Sequence, residues 1–328
     1  MKYDVLSLGP ARMDVYVQLP PEEVVEICSL DRQRCMIELA FGEKIAVDGM
    51  HFAIGGNTGN NAVGMARLGL KGAIIGAFGD GWTDKQALEI LKSEGVETKY
   101  VEIRQGQFGF GVVINYQGER TILSYYPPSL CLWPKDLDLE ADWIYLTSMG
   151  EGYENFYAEA VNWAKSHGTR IAFNPGTRQI KAGRQHLDYA FSQSEILFVN
   201  KEEAASLLQK TGLRVDIKLL LGGLFAIGPK VVIITDGQAG TYAYDGRKFW
   251  HMPIVPAKVV ERTGAGDAFG SGFLAAYIQG LPISEAMRWG TVNSASVLEY
   301  IGPQMGLLRK EGIEERLRVN EAIKTEEF

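Results

Sequence analysis

Cysteine is scarce: the 328-residue chain has three, Cys28, Cys35 and Cys131, with no C-x-x-C spacing. That argues against a disulfide framework or a zinc knuckle and suits a reducing compartment. Basic runs are missing as well. Lys and Arg number 33 against 40 Asp and Glu, a net charge of −7, so the clustered cations that bind nucleic-acid phosphates are absent. The longest apolar stretch, 219–228, falls well short of the ~20 residues of a membrane span. The first residues carry Asp4 inside an apolar run and read as a strand rather than a signal peptide. The expectation is a soluble cytoplasmic protein whose partners are small molecules, with no nucleic acid and no membrane. No Gly precedes a Lys, which excludes a G-x-x-x-x-G-K-[ST] loop, and H-R-D, D-F-G, H-E-x-x-H and G-x-S-x-G are also absent.

What is present suffices for a large core: 46% apolar residues, 10% aromatics and 38 glycines, without the signature of a disordered chain. Val5 to Leu8 reads as a buried strand closed by Gly9-Pro10. Between about 12 and 55 the pattern is irregular, with a brief helix at Pro20-Pro21 and half-exposed alternation over Arg34 to Leu39 and Lys44 to Ile54, as in a small inserted β element. A helix follows from Asn57 to Gly69, a strand over Ala73 to Ala77 and a helix over Lys85 to Lys92. Alternating strands near Tyr100 to Ile103, Gly109 to Asn115 and Glu119 to Tyr126 are expected to join the β element. Thereafter strands and helices alternate, as βαβ crossovers do, giving an α/β fold with a mainly parallel sheet covered on both faces.

The segment Arg262-Thr-Gly-Ala-Gly-Asp-Ala-Phe-Gly runs into an apolar helix. Gly264 and Gly266 let main-chain N–H groups converge, and with the helix dipole they form an anion site. Asp267 beside a phosphate would be repelled, unless it takes the proton of a hydroxyl that attacks phosphorus. Alone, the segment could equally be a tight turn with Asp267 as a cap. Gly55-Gly56-Asn57-Thr58-Gly59-Asn60 permits close approach to the backbone, and Asn60 both donates and accepts, which suits a sugar, although strand-to-helix turns and caps look the same. Asn200 and Glu203 stand three apart at a strand end, where ligands of open α/β sheets gather, or else form a helix cap.

Taken together, Gly55 to Asn60 and Gly264 to Asp267 resemble the two signatures of the ribokinase-like, or PfkB-type, carbohydrate kinases, and order and spacing agree over nearly the whole chain. The resemblance implies a ribokinase-like three-layer sandwich with a mainly parallel central sheet and a small β-sheet lid. Residues 1–12, 55–97 and 127–328 would form the large domain, and 13–54 with 98–126 the lid. It implies Asp267 as general base and Gly264, Ala265 and Gly266 as an anion hole. Asp14, Gly55, Gly56, Asn60 and Glu151 would contact substrate. Asn200 and Glu203 would act on Mg2+ through water, Thr235, Gly237 and Gly240 would flank the nucleotide ATP, and Asn293 would lie near adenine.

Where the family usually has Asp-Thr before the anion hole, this chain has Glu261-Arg262. Glu261 would reach a monovalent cation such as K+ with a longer arm, or Arg262 would replace its charge. The implied activity is ATP-dependent phosphorylation of a primary hydroxyl on a small sugar, ribokinase- or fructokinase-like. The alternatives are a nucleoside kinase, with Phe52, Phe108, Phe110, Tyr125 or Tyr126 stacking on a base, and a phosphosugar kinase using Arg12, Arg104, Arg120 or Arg178. A non-catalytic sugar-binding relative is the reading from another class. Open strand edges in the lid lead to the expectation of a homodimer formed through it.

Overall fold

The computed structural model describes all residues except 30–34, 108, 126–131, 136 and 211–214. Cys131, Phe108 and Tyr126, named above, lie outside the described residues. Ten strands make the main sheet, in the order β16-β15-β14-β13-β12-β11-β10-β1-β6-β7. They are β1 (Lys2–Leu8), β6 (Gly72–Gly79), β7 (Val101–Arg104), β10 (Glu140–Thr147), β11 (Arg170–Asn174), β12 (Ile196–Asn200), β13 (Val231–Thr235), β14 (Thr241–Tyr244), β15 (Phe249–Met252) and β16 (Glu326–Glu327). From β13 to β7 the pairings are all parallel, and β14 to β16 continue the edge antiparallel.

Strand periodicity explains the layers. In β10, Ile144 and Leu146 face one core while Trp143 and Tyr145 face the other, and Val232 and Ile234 oppose Val231 and Ile233 in β13. Helices Tyr153–His167, Lys201–Leu207 and Ile217–Phe225 cover the first face. Helices α1 (Asn57–Arg67), Ala265–Ile278 and Ile283–Val297 cover the second. A sheet buried on both sides needs apolar residues at consecutive positions, which is why these strands read as continuous apolar runs.

The lid is a four-stranded sheet, β5-β2-β8-β9, made of β2 (Arg12–Gln18), β5 (Gly49–Gly55), β8 (Phe110–Tyr116) and β9 (Glu119–Tyr125). Three expectations need correction. Tyr100 to Ile103 does not join the lid: β7 extends the main sheet beside β6, following helix α2 (Trp82–Ser93) as a crossover strand would. The brief helix expected at Pro20-Pro21 is present as a single 3-10 turn, Pro21–Glu23.

Within the irregular segment, β3 (Val25–Cys28) and β4 (Cys35–Glu38) pair with each other in a separate exposed ribbon rather than with the lid. The same ribbon joins Cys28 to Cys35 in a disulfide, against the expectation of unpaired thiols. Antiparallel pairing places the two cysteines directly opposite one another, a proximity that sequence spacing does not reveal. The inference of a reducing compartment thereby loses its basis. Among the described residues no helix is long and apolar enough to cross a membrane.

Candidate active site

A cleft of about 730 Å³ lies between the lid and the carboxyl ends of the parallel strands. Asn174, Asn200 and Thr235, the last residues of β11, β12 and β13, line its large-domain side, and Asp14, Arg120 and Ser124 line it from the lid. This is where an open α/β sheet offers its strand ends and helix N-termini to a ligand.

At its floor begins the helix Ala265–Ile278, whose N-cap is Gly264 at φ 82°. A side chain there would be strained, and its Cβ would stand 2.3 Å from Pro303 Cβ, so glycine is required. Among the described residues the N–H groups of Gly264 and Gly266 have no main-chain acceptor, and that of Ala265 makes only a long 3.5 Å contact with Arg262 O. These unsatisfied donors sit at the positive end of the helix dipole.

Asp267 is the third residue of this helix and lines the cleft with Gly264 and Gly266. Asn60, in the first turns of α1, donates from Nδ2 to Asp267 Oδ2 at 2.8 Å. Gln304 Nε2 in turn donates to Asn60 Oδ1 at 3.2 Å, which fixes the orientation of the Asn60 amide. Burial pushes the Asp267 carboxyl up to about 6, partly opposed by the Asn60 hydrogen bond. Asp267 therefore has the proton affinity of a base working near neutral pH.

Above it, Asp14 is 5% exposed and accepts from Arg12 Nε at 2.8 Å. Burial raises its carboxyl above the ordinary range, with Arg12 opposing. Space for that carboxylate comes from glycines on both adjoining strands: a Cβ at Gly55 would fall 1.8 Å from Asp14 Oδ2, and one at Gly111 would fall 2.3 Å from Oδ1. Gly56, at φ 89°, turns the chain from β5 into α1.

The cleft thus brings together Asp14, Gly55, Gly56, Asn60, Asn200, Glu203, Thr235, Gly264, Gly266 and Asp267. Asn200 and Glu203 also form the helix cap weighed earlier: Glu203 N donates to Asn200 Oδ1 at 2.8 Å and Asn200 N to Glu203 Oε2 at 2.9 Å. Burial raises the Glu203 carboxyl. Since the cap engages only Oε2, Glu203 Oε1 remains to accept from a water on a hydrated magnesium ion, so the residues fit Mg2+ held at second hand.

Other expected site residues are elsewhere. Asn293 is fully buried, donating to Ala268 O and accepting from Leu308 N, and so ties two helices together rather than facing a ligand. Glu261 is 2% exposed and accepts from Gly302 N at 2.7 Å, so one of its oxygens is spent on a loop. Arg262 does line the cleft, and it lies 3.6 Å from Glu119 in the lid. Gly237 and Gly240 shape the turn after β13, where a Cβ at Gly240 would meet Met252 O at 2.3 Å, and only Thr235 of that trio lines the cleft. Glu151 sits exposed, 3.6 Å from Arg178. Of the proposed phosphosugar cations, Arg12 is paired with Asp14 and Arg104 with Glu102.

Sequence reading missed Gln304 and the Asn57–Asn174 contact at 3.1 Å, because both pairs are more than a hundred residues apart in the chain. It also passed over Arg12 as the partner of Asp14, for which the signal existed: residues i and i+2 of a strand lie on one face.

A doubly covered parallel sheet with a β lid, and a glycine-capped helix holding a carboxylate at the cleft floor, define the class as ATP-dependent phosphotransferases of the ribokinase fold. The chain belongs to the pfkB family carbohydrate kinases, whose sequence model matches residues 23–310. It is 27% identical over 265 residues to a nucleoside kinase of Methanothermobacter thermautotrophicus, covering 80% of this chain and 84% of that one. Arabidopsis thaliana ribokinase, solved with ribose and ATP, superposes with a TM-score of 0.76 at 20% identity, over 97% of this chain and 99% of that one. An E. coli structure that holds ATP and Mg2+ superposes at 0.78 and 18% identity, over 97% and 100%. At these identities the solved structures speak for the fold alone.

Proposed function

We propose that the protein transfers the γ-phosphoryl group of ATP to a hydroxyl of a small sugar unit, with Asp267 as general base. Asn60 occupies Asp267 Oδ2, leaving Oδ1 for the substrate hydroxyl. The hydroxyl oxygen attacks phosphorus as its proton passes to Asp267, the bond to the β-phosphate oxygen breaks, and ADP leaves. The main-chain donors of Gly264, Ala265 and Gly266 would hold the charge on the transferring group, where preorganised dipoles act most strongly. Asp14, with Gly55, Gly56 and Asn60, would bind the sugar hydroxyls, and closure of the lid would exclude water. Magnesium, when bound, neutralises charge between nucleotide phosphates. Asn200 and Glu203 would hold it through water, and Thr235 would border the nucleotide.

The single observation that carries this reading is a carboxylate poised near neutrality beside unsatisfied N–H donors, in a cleft with room for two ligands. A nucleoside as the carrier of the sugar is the second reading, favoured by a small, mostly apolar side chamber that opens beside Gly56. Dimerisation through the lid also belongs to the proposal, supported by the exposed side chains of Met50, Phe52 and Leu123 on its two edge strands. Gel filtration with light scattering tests it, and a monomer at micromolar concentration would refute it. The activity itself is tested by coupled ADP release over a panel of sugars and nucleosides. Acceptor-dependent ADP formation that disappears in Asp267→Asn is expected, and an unchanged rate in that variant would overturn the assignment.

A further inference from the structure

Beside the main cleft, and sharing Pro10, Arg12, Gly56, Ser148 and Gly150 with it, lies a chamber of about 80 Å³. Gly56 precedes Asn60 by one helical turn, roughly 6 Å of rise, so the chamber mouth stands about one sugar ring from the partner of Asp267. Its lining combines small or flat apolar residues, Ala11, Ala77, Phe78, Gly79 and Gly109, with the polar side chains of Arg12, Gln107 and Ser148. One lining group is acidic. Asp84, at the third position of α2, is 2% exposed. Its Oδ1 accepts from Gly79 N at 2.9 Å, but its Oδ2 is buried with no hydrogen-bond partner among the described residues. A buried acceptor left unsatisfied is costly, and its retention points to a ligand donor. Arg104 also lines the chamber, and Glu102 takes one of its five N–H donors at 2.8 Å.

We propose that this chamber receives the base of a nucleoside substrate, with Asp84 Oδ2 accepting from an exocyclic amino group and Arg104 donating to the neighbouring ring acceptor. This rests on the phosphotransfer reading given above and names its substrate class. An aminated base offers apolar faces with a polar edge, and the volume suits the edge of one ring. A carboxylate that accepts from a base amino group discriminates against a carbonyl at the same position, because two acceptors then face each other.

Steady-state kcat/KM for cytidine, uridine, adenosine, inosine, ribose and fructose tests the proposal, in the wild type and in Asp84→Asn. The wild type is expected to favour cytidine over uridine and adenosine over inosine by about 10- to 100-fold. In Asp84→Asn the ratios should fall to near one or invert, since the amide can donate to a carbonyl. The proposal is overturned by wild-type ratios near one, by free sugars outperforming all nucleosides, or by unchanged ratios in a variant that retains the wild-type thermal transition. Should Asp84→Asn not fold, the wild-type ratios decide alone. Failure of the phosphotransfer reading looks different: no acceptor of either class would then give ADP release that depends on Asp267.

Discussion

Asp267 carries a cost in stability that its proposed role requires, and the cost can be measured separately from activity. Burial raises its carboxyl from 3.8 to about 6 in the folded protein. Each pKa unit corresponds to ~1.4 kcal/mol, so the ionised form destabilises the fold by at most about 3 kcal/mol, less whatever water enters the cleft. The raised value means that the folded state binds the proton more tightly than the unfolded chain. Below about pH 4 both states are protonated and nothing is lost; the loss accumulates up to about pH 6 and is constant beyond. Asp267→Asn cannot ionise and escapes this loss, while its side-chain oxygen can still accept from Asn60. Urea unfolding of both proteins from pH 4 to 8 should give a stability gap that grows in favour of the variant through that window. Turnover of the variant should fall by about 10² to 10⁴. A gap that stays flat with pH would refute the desolvation of Asp267, and with it the argument for a base tuned toward neutrality.

Further expectations concern the groups around this carboxylate. Removing the donor in Asn60→Leu should shift the acidic limb of the kcat/KM profile upward from about pH 6, since the Asn60 hydrogen bond lowers the Asp267 value, and an unmoved limb would contradict the contact. Gly55→Ala should raise KM for the acceptor far more than KM for ATP, because its Cβ would displace the Asp14 carboxylate; equal changes in both would count against Asp14 as the sugar contact. Arg67 pairs with Glu94 and donates to Gln304 O and Leu307 O. Arg67→Ala is expected to lower stability by about 1–3 kcal/mol in urea melts, the range for unsatisfied buried acceptors, and a loss well under that would mean water replaces the guanidinium.

The corrections follow a pattern. The strands β7 and β4 both read as alternating, yet one joins the main sheet and the other pairs only with β3, a strand the sequence did not signal. Alternation reports that one face is buried without saying against which neighbour. Asn293 ties two helices together, and Glu261 gives one oxygen to Gly302 N while its other oxygen is buried with no hydrogen-bond partner among the described residues. Conversely Asp84, just ahead of the helix expected over Lys85 to Lys92, emerges only once α2 is set against the chamber wall.

The sequence by itself determined the layer architecture, since continuous apolar strands alternating with helices can be buried only in a doubly covered parallel sheet. It also determined the glycine-capped helix with Asp267, since local backbone freedom and dipole are properties of a few consecutive residues. The tertiary structure alone decided that Asn60 and Gln304, 207 and 37 positions away from Asp267 along the chain, hold and orient its carboxylate (267 − 60 = 207; 304 − 267 = 37). It likewise decided that burial sets the proton affinity of that carboxylate. Desolvation and long-range hydrogen bonds depend on what the finished fold packs around a group, and no local pattern of residues encodes that.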